Sequence, residues 1–265
     1  MSYYWNDLPK SFQKQVYELN EEVKVKIGRQ YVGTYIHGSL ALGGFQLNSS
    51  DMDLLIVVGE ELSMQVKENL TKLFLLRSTK AFSIEVSILT VNQLTSWTHP
   101  SPFTYHFSEH WRAFYEGNKT YQDIPEQKDP DLAAHLTVMK HTGIVLEGPE
   151  IESIFPLIPR GDYVDALLYD IQDGLHSIEG NPSYFVLNLL RVYKYLCDGS
   201  IIGKKAGAEW GISEFPSHSH TIREALAMYE GKQRSINKER LLAFQHEMNR
   251  LLSPFLQARE YGDYV

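Results

Sequence analysis

Cysteine is almost absent from this 265-residue chain. Cys197 stands alone, so no internal disulfide can form, and a reducing, cytoplasmic setting is expected. It sits in RVYKYLCDG, the aromatic and apolar end of a helical pattern, and reads there as a buried structural thiol. No stretch approaches the ~18 consecutive apolar residues of a membrane span. The opening MSYYWNDLPKSFQKQ lacks a basic segment followed by an apolar core, so a secretory signal is not expected. Basic blocks are missing as well. Lys and Arg number 25 against 33 Asp and Glu, and the net charge of −8 disfavours a protein that holds nucleic acid by neutralising phosphates. An acidic balance suits a small cationic ligand instead. The expected partners are therefore small molecules, not nucleic acid or membrane, and a monomer is expected.

What is present is a core. A hydrophobic share of 43% excludes disorder, and the length fits one large domain or two modest ones. From Leu8 to about Ile27 the apolar residues Phe12, Val16, Leu19, Val23 and Ile27 recur at helical spacing. YVGTYIHG and DMDLLIVVG read as two short strands separated by a loop. EELSMQVKENLTKLFLLRS reads as a helix. AFSIEVSILT reads as a strand with Ile84, Val86 and Ile88 on one face and Glu85 and Ser87 on the other. WTHPSPFTYHFSEHWRAFYEG is read as a connection and a short helix, and DPDLAAHLTVMKHTGIVLEGP as one helix ended by Gly148-Pro149. Four further helical patterns come after it, at about 162–177, 183–198, 220–231 and 236–258, with no convincing strand among them. Strands with helices first, then helices alone, predict an α+β domain over residues 1–157 and an all-α domain over 158–265. The break lies near the proline-interrupted FPLIPRG.

The chemistry gathers in HGSLALGGFQLNSSDMD, residues 37–53. Alternate strand side chains share a face, so Asp51 and Asp53 project together with Cα atoms ~6.6 Å apart. Two converging carboxylates repel unless a cation lies between them. Mg²⁺ suits such a site, since it commonly takes one or two carboxylates and fills its shell with phosphate oxygens and water. The Gly38-Ser39 turn offers what phosphates need: close backbone approach, an N–H and a hydroxyl. Ser50 adds a second hydroxyl. Glu85, on the later strand, can point to the same edge, as a metal ligand or as the acceptor of a hydroxyl proton. A lone Gly-Ser is a turn, and a lone Asp-x-Asp is a solvated strand edge. Their combination, with a 12-residue separation between Ser39 and Asp51 and an acid on an alternating strand, points to catalysis.

The pattern of an apolar strand, Gly-Ser, a spacer and Asp-apolar-Asp-apolar resembles that of the nucleotidyltransferases related to DNA polymerase β. More narrowly, the chain resembles the bacterial aminoglycoside adenylyltransferases of the streptomycin 3″/spectinomycin 9 type. HGSLALGGFQLNSSDMDLLIVV looks like their active-site segment and IEVSILT like their strand with the third acid. WTHP, FSEHWR and DPDLA resemble their linking region. LEGPEIESIFPLIP, FVLNLLRVYKYLCDGSIIGKKAGAEW and ALAMYEG resemble their helical second domain. The resemblance implies a mixed-sheet nucleotidyltransferase domain, a helical bundle, ATP as co-substrate, one or two Mg²⁺ ions and a hydroxylated, cationic acceptor. It implies Asp51 and Asp53 as metal ligands, Glu85 as catalytic base, and Gly38, Ser39 and Ser50 as phosphate contacts. It further implies Arg191, Lys204 and Tyr229 as nucleotide contacts.

Departures fall where the acceptor would be recognised. His110 stands at the position of a substrate-facing tryptophan, with Trp111 one place later, and Asn181 stands where these enzymes carry an acid. An ionic hydrogen bond contributes on the order of 1.5–3 kcal/mol. Its loss makes spectinomycin the better candidate and streptomycin the worse, with Glu109, Asp173 and Glu179 as acids that could compensate. The ten histidines show no HExxH-type or cysteine-paired spacing, so a zinc centre is not expected. Neither the G-x-S-x-G frame of a nucleophile elbow nor a P-loop signature occurs.

Overall fold

The first helix, α1 (Lys10–Ile27), buries Phe12, Val16, Leu19, Val23 and Ile27, the stripe that its sequence spacing requires. The structure, a computed structural model, describes residues 3–47, 49–117, 128–232 and 235–261. After α1 come β1 (Tyr31–Ile36), the single turn α2 (Gly38–Ala41) and β2 (Met52–Val58). Helix α3 (Met64–Arg77) is entered through Ser63, whose hydroxyl accepts the Val66 N–H. Strand β3 (Ile84–Thr90) runs into α4 (Val91–Thr95) through a capping box of Thr90 and Gln93. Next are β4 (Ser101–Pro102), β5 (Tyr105–Phe107), α5 (Arg112–Glu116), β6 (Lys128–Asp129), α6 (Leu132–Thr142), β7 (Ile144–Glu147) and α7 (Ile151–Ile154).

Five strands form one mixed sheet in the order β5-β3-β2-β1-β7. Strands β2 and β3 are parallel, the crossover being supplied by α3, while β1–β2, β1–β7 and β3–β5 are antiparallel. The run LLIVV of β2 is buried without interruption, as expected of a central strand covered on both faces. The parallel register sets Asp53 beside Glu85 and Leu55 beside Ser87.

Two segments depart from the sequence expectation. The helix predicted over 129–149 ends at Thr142, and IVLE becomes the edge strand β7, with Val145 beside Tyr35 and Ile144 beside Ile36. Gly143 is the break: a Cβ there would lie 2.4 Å from both the carbonyl oxygen and the sulfur of Met139. The connection WTHPSPFTYHF contains β4, which pairs with β6, and β5, which pairs with β3 through Val86–Phe107 and Ile88–Tyr105. Tyr105 and Phe107 are fully buried there, so the stretch carries a period-two alternation that its prolines disguise.

Chain contacts divide between Ile158 and Pro159, and the unit beyond that break is helical. Its elements are α8 (Arg160–His176), α9 (Pro182–Asp198), α10 (Lys204–Glu214), α11 (Ser219–Tyr229) and α12 (Lys238–Tyr261). An α+β sheet domain followed by an all-α domain is the expected class. Helix α9 is central, packing on α8, α10, α11 and α12 and fully burying Val186, Leu187, Leu189 and Leu190. Helix α10 was not expected, because Gly207 and Gly211 dilute its apolar period. Those glycines serve packing: a Cβ at Gly211 would lie 2.7 Å from Leu190. Cys197 is also corrected. The buried face of α9 ends at Leu196, and the next residue, the thiol, is exposed. Among the described residues no helix is long and apolar enough to cross a membrane.

Gly174 on α8 meets Phe185 on α9 so closely that a Cβ would stand 2.3 to 2.9 Å from Cδ1, Cγ and Cβ of that residue. Helix propensity favours Ala over Gly by about 1 kcal/mol, whereas overpacking a tight contact costs about 1–3 kcal/mol. Gly174→Ala is expected to lower the melting temperature; an unchanged or raised value would show that Phe185 yields freely.

Candidate active site

Strand β1 ends at Ile36, and the chain turns at once. Gly38 has φ +62°, and a Cβ on it would lie 1.8 Å from Oδ2 of Asp53. Only glycine permits that approach. The Ser39 N–H then donates to Asp53 Oδ2 at 3.2 Å, and the His37 N–H donates to the Asp53 carbonyl at 3.1 Å. The Ser39 hydroxyl is buried and makes no hydrogen bond within the structure, an acceptor-seeking group beside an acid.

Asp51 lies exposed just before β2, and Asp53 is half-buried within it. Glu85, half-buried on β3, is its register partner. Loss of water and the Glu85 carboxylate push the Asp53 carboxyl up to about 7, with Asp51 adding to the rise. His135 and the Ser39 N–H act in the opposite direction. His135 comes from α6, with Nε2 3.9 Å from Glu85 Oε1 and Nδ1 buried without a partner. Its ring lies 4.7 Å from that of buried His37, which burial first and His135 second hold well below the usual histidine range. Two residues along β3 from Glu85, Ser87 Oγ lies 3.1 Å from His106 Nδ1, and burial pushes His106 down to about 4. His37 and His135 escaped the sequence reading, whereas His106 was read there as a residue of the linking segment that could line the cleft. For His135 the available signal was a histidine within the largely apolar α6, which unaided reads as core.

Among the described residues no group of three or more His, Cys, Asp or Glu side chains is gathered into a metal cage. Mg²⁺ does not need one, since it keeps waters and substrate oxygens around one or two carboxylates. The donors at hand are hard oxygens, and the Asp53 carboxyl, raised first by loss of water, is raised further by the Glu85 and Asp51 carboxylates beside it. On both counts the residues fit Mg²⁺.

The remaining candidates have other surroundings. Ser50 closes the loop before β2: its hydroxyl accepts the Gln46 N–H at 3.0 Å, and its N–H donates to the Gln46 carbonyl. His110 is exposed and edge-on to Trp111, which packs on Phe114 and the sheet core. Glu109 is engaged by Arg112 and Ser78, and Glu179 pairs with Lys238 at 2.8 Å. Asp173 is exposed on α8. Asn181 caps α9, its side-chain oxygen accepting the Tyr184 N–H. In the helical unit Arg191 donates to the Ile202 carbonyl, and Lys204 lies over the rings of Tyr184 and Tyr229, at 4.6 and 5.6 Å from their centroids. The structure thus brings Gly38, Ser39, Asp53 and Glu85 together in one unit, and Lys204 and Tyr229 in the other.

Gly38→Ala is expected to displace the Asp53 carboxylate and to abolish detectable turnover, with a smaller effect on melting; turnover near that of the unaltered protein would deny the contact its importance. A second expectation concerns pH. The native Asp53 carboxyl keeps its proton to about 7, while its ordinary value is 3.8. Native protein therefore binds more protons than unfolded chain between those values, and stability falls as pH rises through that window. In chelator, melting temperature should decline from about pH 4.5 to about 7.5, and Asp53→Asn should flatten the decline. An identical slope in the variant would locate the titration elsewhere.

Residues 153–250 match the family model described as aminoglycoside adenylyltransferase, C-terminal domain. The chain is 27% identical over 210 residues to a spectinomycin 9-adenylyltransferase of Campylobacter jejuni, covering 77% of this chain and 80% of the relative. It is 26% identical over 228 residues to a spectinomycin 9-adenylyltransferase of Enterococcus faecalis, covering 83% and 88%. In fold it is similar to an Enterococcus spectinomycin adenylyltransferase solved with ATP and spectinomycin, with a TM-score of 0.79, 23% identity, and 91% and 99% of the two chains covered. The chain is thus similar in its helical half to that family's C-terminal domain and along most of its length to these adenylyltransferases.

Proposed function

We propose that the protein transfers AMP from ATP to a hydroxyl of an aminocyclitol antibiotic of the spectinomycin kind, with Mg²⁺ held by Asp51 and Asp53. The observation that carries the reading is the Gly38-Ser39 turn laid against Asp53, with Glu85 beside it in the parallel register. The relatives named for spectinomycin support the acceptor class, and the neutral Asn181 speaks against an acceptor that needs an acid there. When bound, Mg²⁺ would neutralise charge on the triphosphate and on departing pyrophosphate.

The protein's own groups divide the rest of the work. Gly38 lets the backbone come close to phosphate, and the Ser39 hydroxyl, buried and unpartnered, donates to it. Glu85 takes the proton of the acceptor hydroxyl as its oxygen attacks the α-phosphorus; the bond from that phosphorus to pyrophosphate breaks, and the electron pair leaves with pyrophosphate. Arg191, Lys204 and Tyr229 serve the nucleotide. His135 stands beside that base, with Nε2 3.9 Å from Glu85 Oε1.

Pyrophosphate release measured with ATP, Mg²⁺ and a panel of antibiotics should appear with spectinomycin and not with streptomycin. Glu85→Gln should lower kcat by roughly 10²–10⁴-fold, the usual contribution of a general base, and leave ATP·Mg²⁺ affinity within a few-fold. Unchanged turnover would remove Glu85 from the role of base, and silence with every compound would remove the antibiotic acceptor.

A further inference from the structure

The helical unit holds a closed circuit of polar contacts that no sequence motif announced. Asp170, on α8, accepts the Tyr184 hydroxyl on one carboxylate oxygen and the Asn188 amide N–H, at 3.1 Å, on the other. Asn188 is 3% exposed, and its side-chain oxygen accepts from Arg191 Nη1 at 3.1 Å. Arg191 Nε donates to the Ile202 carbonyl at 2.8 Å. Two residues later comes Lys204, whose ammonium lies over the ring of Tyr184, 4.6 Å from its centroid, and so returns the circuit to Asp170.

From this geometry, and resting on the reading of Arg191 and Lys204 as nucleotide contacts, we infer that Asp170 is the positioning residue that sets both cations for the triphosphate. The buried amide of Asn188 has only one workable orientation. Its NH₂ must face the carboxylate and its oxygen the guanidinium, because the reverse sets donor against donor and acceptor against acceptor. The charge of Asp170 therefore fixes Asn188, and Asn188 fixes Arg191. Neither bond of Arg191 uses Nη2, and a guanidinium held by its other nitrogens presents that edge to a phosphate oxygen with little freedom left to lose. On the other arm, the hydrogen bond from Tyr184 to Asp170 pins the ring over which Lys204 is held. A single carboxylate governs the placement of two cations through neutral intermediaries, and its own negative charge stays one residue removed from the anion they would bind.

The test is ATP·Mg²⁺ affinity by calorimetry on the full chain, alongside melting temperature and the KM for acceptor. Asp170→Asn removes the charge that fixes Asn188, so ATP affinity should fall about tenfold, the worth of one charge-assisted hydrogen bond, with acceptor KM and kcat within about two-fold. The exchange Asp170→Asn with Asn188→Asp rebuilds donor and acceptor in reversed order and should restore most of the loss. Tyr184→Phe, which removes one hydroxyl, should weaken ATP binding a few-fold and supplies the readout if Asp170→Asn fails to fold. Unaltered ATP affinity in Asp170→Asn, or a loss that the exchange does not relieve and that tracks melting temperature, would overturn the inference by making Asp170 a clamp between α8 and α9 only. If the unaltered protein itself binds no ATP, the reading under which the inference stands falls with it.

Discussion

The candidate site in the sheet unit hangs on the contact between Gly38 and the Asp53 carboxylate. A side chain at position 38 would occupy the space of Oδ2, so the absence of a Cβ is what allows the turn after β1 to lie on the first residues of β2. From that approach the Ser39 N–H reaches the carboxylate, and the turn and the acid become one object. Glu85 is then placed by pairing alone. Parallel register between β2 and β3 sets it beside Asp53, and parallel pairing is possible only because α3 carries the chain back across the sheet. Thus a turn, a strand pair and a crossover helix each supply one geometric condition of the site.

The same arrangement is electrostatically unfavourable by itself. Asp53 loses water and gains two carboxylate neighbours, and its raised pKa measures the strain. His135 relieves part of it, but His37 does not: burial keeps that ring from charging, and so it contributes stacking to His135 and no positive charge to the acids. A site tuned for stability would have placed an arginine here. Under the proposed reading the site instead retains the negative charge that would hold a metal ion, as expected where function opposes stability.

What the sequence made legible were features carried by local pattern. The stripe of α1, the buried β2 and the alternation of Glu85 with Ile84 and Val86 arise from periods of 3.6 and 2, and Gly-Ser with Asp-x-Asp marks the site by residue type. Features settled by tertiary partners stayed hidden. IVLE is a strand because the free edge of β1 takes it, and α10 is a helix because Gly207 and Gly211 trade propensity for proximity to α9. Cys197 was misplaced by one position in a helical turn, enough to move it from core to solvent. Asp170 gave no signal, since its partners Tyr184 and Asn188 belong to another helix, 14 and 18 residues away.

Asn181 shows why the acceptor is harder to read than the chemistry. Its side chain caps α9, and Asn and Asp are nearly equal as caps, because either presents an oxygen to the first free N–H groups. Exchanging one for the other therefore leaves the helix start intact while adding or removing a full charge. The acids of the candidate site have no such latitude: Asp53 is bound to its turn and Glu85 to its register. A position whose fold duty is met by two residues of different charge is free to follow the ligand, so under the proposed reading selectivity can drift at α9 while the transfer chemistry of the sheet stays fixed.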